Sequence, residues 1–197
     1  GRGALDNPLL SSHLFGFFCV YWLYVCMTTQ RLKVLWFSAP ALAVMLAAVL
    51  ATGSRTPLVA LTLTILWMTF VSRNRRSAWL IAGMILGAAG LLLLYPEVIT
   101  NRGSSFRFEL WGMSLQRIAE HPWIGHSYDS ELYLTLSDGY ELREPHSFAL
   151  GVLYYVGIIG FIPWIFMLGW GLYKGLKERA QPLFILASSL LAYGIGA

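Results

Sequence analysis

Val34-Leu35-Trp36-Phe37-Ser38-Ala39-Pro40-Ala41-Leu42-Ala43-Val44-Met45-Leu46-Ala47-Ala48-Val49-Leu50-Ala51-Thr52 is the stretch that decides the fold. It carries no charge, and as an α-helix rising about 1.5 Å per residue it is long enough to cross a hydrocarbon core of roughly 30 Å. Comparable runs lie on both sides of it, at residues 11–29, 57–72, 77–95 and 147–173, and another begins after Arg179. The chain therefore reads as an all-α integral membrane protein with about six transmembrane helices, several of the runs reaching the length that crossing a bilayer demands. Composition agrees. Hydrophobic residues make up 57% and charged residues 12%, with a mean hydropathy of +0.61; soluble domains carry roughly 25% charge. Little of the 197 residues is left for a separate water-soluble core, so residues 1–197 read as a single membrane domain. Gly1 opens in mid-pattern and Ala197 stops inside an apolar run, which reads as a fragment of a longer polytopic protein.

Charge placement sets the topology. Arg31 and Lys33, then Arg73, Arg75 and Arg76, then Lys174, Lys177 and Arg179 occupy alternate connections, and the positive-inside rule puts all three in the cytoplasm. Nine of the ten acidic residues and all four histidines then fall on the opposite face, Glu178 being the exception. The net charge of +4 is thus a topology signal and not a nucleic-acid footprint. Cys19 and Cys26 share one helical face within one run and cannot reach each other there, so they are read as apolar fillers.

Residues 96–146 form the one substantial loop, on the extracytoplasmic side. Within it Phe108, Trp111, Leu115 and Ile118 recur at helical spacing and predict an amphipathic helix. That helix starts near Ser104 or Ser105, either of which can cap it, and stops before Pro122. Its stripe suits the membrane surface or the top of the bundle. The run at 147–173 contains Gly157, Gly160 and Pro163 and is expected to kink among them.

Three residues stand out chemically. Arg55 occupies a short turn at the membrane boundary on the face that otherwise avoids Arg; it either snorkels to headgroup phosphates or forks a bound diphosphate bidentately. Arg107 lies beside the amphipathic stripe and is either a solvated edge charge or a second such fork. His146 sits between Pro145 and Ser147 where the loop re-enters the membrane. An imidazole there can cap a helix, or take a proton from a hydroxyl near neutral pH. His121 and His126 are interrupted by Pro122 and Gly125, and no acidic or Cys partner stands at ligand spacing, so no metal site is expected.

Taken in order, Gly53-Ser54-Arg55-Thr56, Phe106-Arg107 followed by Trp111, His121-Pro122-Trp123-Ile124-Gly125-His126, and Pro145-His146-Ser147 before a Gly-rich helix resemble the O-antigen ligase and polymerase superfamily. Leu5-Asp6-Asn7-Pro8 is similar to the segment that precedes this region in O-antigen ligases. The family's usual Pro-His-Asn stands here as Pro-His-Ser. The resemblance implies a glycosyltransferase of the bacterial inner membrane, with a periplasmic active face and no metal or other cofactor. It would move a glycan from undecaprenyl diphosphate to a hydroxyl acceptor, lipid A–core, with inversion, in lipopolysaccharide biosynthesis. Carried over by position, His146 matches the catalytic base, while Arg55 and Arg107 match the arginines that hold the diphosphate. The two arginines lie on different segments and are expected to converge. Rivals with the same donor are an O-antigen polymerase and a protein O-oligosaccharyltransferase. A transporter of an anionic solute is the non-enzymatic alternative, and the inverted repeats typical of that class are not visible.

Overall fold

A computed structural model describes residues 8–54, 56–72, 83, 105–136, 139, 141–143 and 147–196, with side chains from residue 11 in the first helix and from 108 in the fourth. The described chain is helical apart from one short strand pair. Its elements are α1 (Pro8–Thr28), α2 (Leu32–Ala51), α3 (Thr56–Ser72), α4 (Ser105–Glu120), β1 (Leu134–Thr135), β2 (Glu141–Leu142), α5 (Phe148–Lys177) and α6 (Pro182–Gly196). Among them α1, α2 and α5 are long and apolar enough to cross a membrane, while α3 and α6 are shorter apolar helices. The expected span at 77–95 lies outside the described residues.

The chain divides into two compact units. One holds α1, α2, α3, α6 and the end of α5 from Trp170. Here α1 packs on α2, α3 and α6, and α3 packs on α6. Val20, Val49, Ala60, Met68 and Tyr193 are fully enclosed in the shared core. Among the described residues of this unit the buried polar ones are Ser12, Ser38, Thr64, Ser188 and Ser189, all small hydroxyls. Several return the bond to their own helix, as Thr64 Oγ1 does to the Ala60 carbonyl at 2.7 Å and Ser189 Oγ to that of Ile185 at 2.6 Å. Others bridge helices: Trp67 Nε1 donates to Ser188 Oγ at 3.1 Å, and Cys26 Sγ to Ser38 Oγ at 3.3 Å. Outward, Trp36 is 76% exposed and Phe37 70%. Small polar residues inside and large apolar ones outside is the arrangement a hydrocarbon solvent selects.

Close helix approach depends on glycine at one position. Tyr193 of α6 is buried with its hydroxyl against the Gly16 backbone, where a β-carbon would overlap the phenol. Its ring stands edge-on to Phe17 at 4.7 Å, and Oη donates to the His13 carbonyl at 3.4 Å. Helix α2 continues through Pro40, which lacks the N–H that would bond the Trp36 carbonyl. In an apolar bundle such a gap is tolerated when neighbouring groups or local adjustment satisfy the backbone.

The second unit holds α4, the strand pair and α5 up to Gly169. Helix α4 begins at Ser105 and ends at Glu120, within the bounds expected from the sequence. Its buried face departs from the expected stripe. Leu110, Ser114 and Ile118 point inward at one-turn intervals, against Leu132, Leu134, Leu136 and Tyr154. Phe108 and Leu115 face out, at 68% and 54% exposed. The physical reason is Ser114: its hydroxyl bonds the Leu110 carbonyl at 2.7 Å, so a nominally polar position enters the core at no hydrogen-bond loss. The strand pair, which lies in the expected loop at residues 96–146, joins Leu134 to Leu142 and Thr135 to Glu141 antiparallel. Alternation sends Leu132, Leu134 and Leu136 inward from one side of it.

Candidate functional site

Two stretches carry the chemistry flagged by sequence, one in each unit. In the first unit the end of α2 is closed locally. The Gly53 amide donates to the Leu50 carbonyl at 3.0 Å, and Gly53 adopts the left-handed conformation, φ 66°, that helix ends favour in glycine. Thr52 Oγ1 donates to the Val49 carbonyl at 2.6 Å and accepts the Ser54 amide at 3.3 Å. Helix α3 then starts at Thr56 with Pro57 in its first turn, where a missing N–H removes no helical bond. The described residues on both sides of Arg55 are therefore shaped by local bonding. Arg55 itself lies outside the described residues.

In the second unit Arg107 is the third residue of α4, and its side chain lies outside the described residues. His146 also lies outside them. Its successor, Ser147, caps α5: the Leu150 amide donates to Ser147 Oγ at a long 3.5 Å, and the Gly151 amide to the Ser147 carbonyl at 3.0 Å. Serine and asparagine are equally good residues for this position. The Pro-His-Ser departure thus preserves the capping chemistry.

The expected kink in α5 falls at Gly157, whose φ of 61° and ψ of −169° are not helical, while Pro163 is accommodated within the helix. Local sequence cannot choose between these two residues; a tertiary contact does. The turn formed by Pro122 to His126 seats in the break. The Ile158 amide donates to the Pro122 carbonyl at 2.9 Å and the Ile159 amide to that of Trp123 at 3.1 Å. In return the His126 amide donates to the Tyr154 carbonyl at 2.8 Å. Backbone meets backbone so closely that a β-carbon on Gly125 would lie 2.5 Å from the Tyr155 carbonyl carbon, and one on Gly157 would strike the Trp123 carbonyl.

Side chains reinforce the junction. The His126 imidazole stacks flat on the Tyr154 ring, centroids 4.3 Å apart and planes 11° apart, and meets the His121 ring edge-on at 4.8 Å. Its Nε2 lies 3.5 Å from Glu120 Oε2 without hydrogen-bond geometry, so neither ring nitrogen has a hydrogen-bond partner among the described residues. Glu120 also pairs with Arg117 at 3.2 Å. Among the described residues no three His, Cys, Asp or Glu side chains gather as a ligand set. Glu120 and Tyr154 escaped the sequence reading. The signal that pointed near them was the glycine pair, Gly125 and Gly157, already among the quoted motifs.

These features have counterparts in known proteins. The sequence pattern of the O-antigen ligase family matches residues 40–165, a span that holds the α2–α3 turn, all of α4, the Pro122–His126 turn and the Gly157 break. A curated relative from Pseudomonas aeruginosa, described as an O-antigen ligase, is 41% identical over 201 residues, covering 100% of this chain and 49% of the relative. The chain therefore spans about half the length of that relative. No solved structure matches it. With the matched span running through both stretches described above, the chain belongs to the O-antigen ligase family.

Proposed function

We propose that this chain is the part of an O-antigen ligase that carries the transfer chemistry, moving a glycan from undecaprenyl diphosphate to a hydroxyl of lipid A–core. The reaction would run on the periplasmic face of the bacterial inner membrane, as a step of lipopolysaccharide biosynthesis. The observation that carries the reading is the family match at residues 40–165, which contains Arg55, Arg107 and His146 in one continuous span. The alternate placement of basic connections supports the face, because it leaves residues 96–146 opposite the cytoplasm.

The chemistry follows from the residue types. His146 as general base takes the proton of the acceptor hydroxyl while its oxygen attacks the anomeric carbon. The bond from that carbon to the diphosphate oxygen breaks, the anomeric configuration inverts, and undecaprenyl diphosphate leaves with the bonding pair. Arg55 and Arg107 hold the diphosphate and offset its growing charge through fixed, bidentate guanidiniums. Such a pair supplies without a metal what a divalent cation supplies in other diphosphate chemistry.

Lipopolysaccharide from cells with and without the intact gene tests the reading on one gel. Loss of the whole O-antigen ladder from lipid A–core is the expected result. A single repeat left on core would assign the protein to polymerisation instead, and an unchanged ladder would remove it from this chemistry.

A further inference from the structure

We infer that the Pro122–His126 turn, seated in the Gly157 break, is a positioning device for His146, with His126 and Tyr154 as positioning residues. The inference rests on His146 acting as the base, as proposed above. Helix α5 is cut at Gly157 into a short first segment, residues 148–156, and a long second one. His146 stands two residues before the first segment, whose start is fixed by the Ser147 cap. The direction in which that segment leaves the membrane therefore decides where its leading residues are presented.

An uninterrupted helix would dictate that direction from the long segment alone. Here the turn takes up two amides and one carbonyl beside the break: Ile158 donates to Pro122, Ile159 donates to Trp123, and Tyr154 accepts from His126. These three bonds, with the close approach of Gly125 to Gly157, hold the junction at one angle. The flat stack of His126 on Tyr154 adds a second attachment on the first segment itself. The His126 ring makes no hydrogen bond among the described residues, so its stacking on Tyr154 is the contact by which it holds the first segment. Displacing a base by about 1 Å can cost on the order of 100-fold in rate, so a fixed angle has catalytic value.

The test uses the purified full-length protein with an undecaprenyl diphosphate-linked glycan and lipid A–core. Gly157→Ala and Gly125→Ala should each lower kcat at least tenfold with donor KM within threefold of the parent, because diphosphate binding is untouched. His126→Phe, which keeps the stacked ring, should retain at least half of kcat, and His126→Ala should lose most of it at unchanged KM. Unchanged kcat in folded Gly157→Ala overturns the inference. If the glycine variants do not accumulate, the His126 pair decides: equal kcat in His126→Phe and His126→Ala overturns it, as does an inactive, folded His126→Phe. His146→Ala is run alongside. Its activity would defeat the functional proposal, whereas an inactive His146→Ala beside fully active glycine variants would defeat only this inference.

Discussion

His146, Arg55 and Arg107 are the site residues the sequence offers, Arg55 and His146 as ionisable side chains where the charge pattern puts a membrane boundary and Arg107 beside the apolar stripe. The side chains of all three lie outside the described residues. His146→Ala is expected to abolish glycan transfer while the protein still accumulates in the membrane, checked by lipopolysaccharide gel and immunoblot of the same cells. Arg55→Lys and Arg107→Lys keep the charge and lose the fork, so each should reduce transfer at least tenfold. Near-parental transfer in both lysine variants would leave these arginines as headgroup contacts. What the sequence hid at this scale is the company of His126. Its contacts with Glu120 and Tyr154 join a helix end, a turn and a second helix, and no local spacing encodes that meeting.

At the scale of elements, hydropathy was sufficient for α1, α2 and α5, because a helix needs only length and apolarity to cross a bilayer. The ends of α4 were legible as well, since it starts at Ser105, one of the two expected starting serines, and Pro122 follows its last residue by two. Its inward face was not. Phe108 and Leu115 stand in the expected stripe and face outward, while Ser114, a polar position that no apolar periodicity selects, turns inward with its hydroxyl bonded to the Leu110 carbonyl. The break in α5 was similarly ambiguous until the Pro122–His126 turn selected Gly157 over Pro163. Two predictions belong here. Ser147→Asn should preserve thermal stability, whereas Ser147→Ala should cost about 1 kcal/mol through loss of the α5 cap. Gly16→Ala should destabilise by about 1–3 kcal/mol through overpacking against the buried Tyr193. Adding Tyr193→Phe, which removes the nearest overlapping atom, should recover part of that loss, a coupling that thermal unfolding of single and double variants in detergent measures.

For the whole molecule, the described helices and the family match agree on a membrane-embedded member of the O-antigen ligase family. The central claim is that its arginines and one histidine perform glycan transfer without a metal. The most direct measurement is transfer from an undecaprenyl diphosphate-linked glycan to lipid A–core by purified full-length protein in excess EDTA, parent beside His146→Ala. The account predicts turnover by the parent at its chelator-free rate and none by His146→Ala. Loss of parental turnover on chelation with recovery in Mg²⁺ or Mn²⁺, or near-parental turnover by His146→Ala, would contradict it.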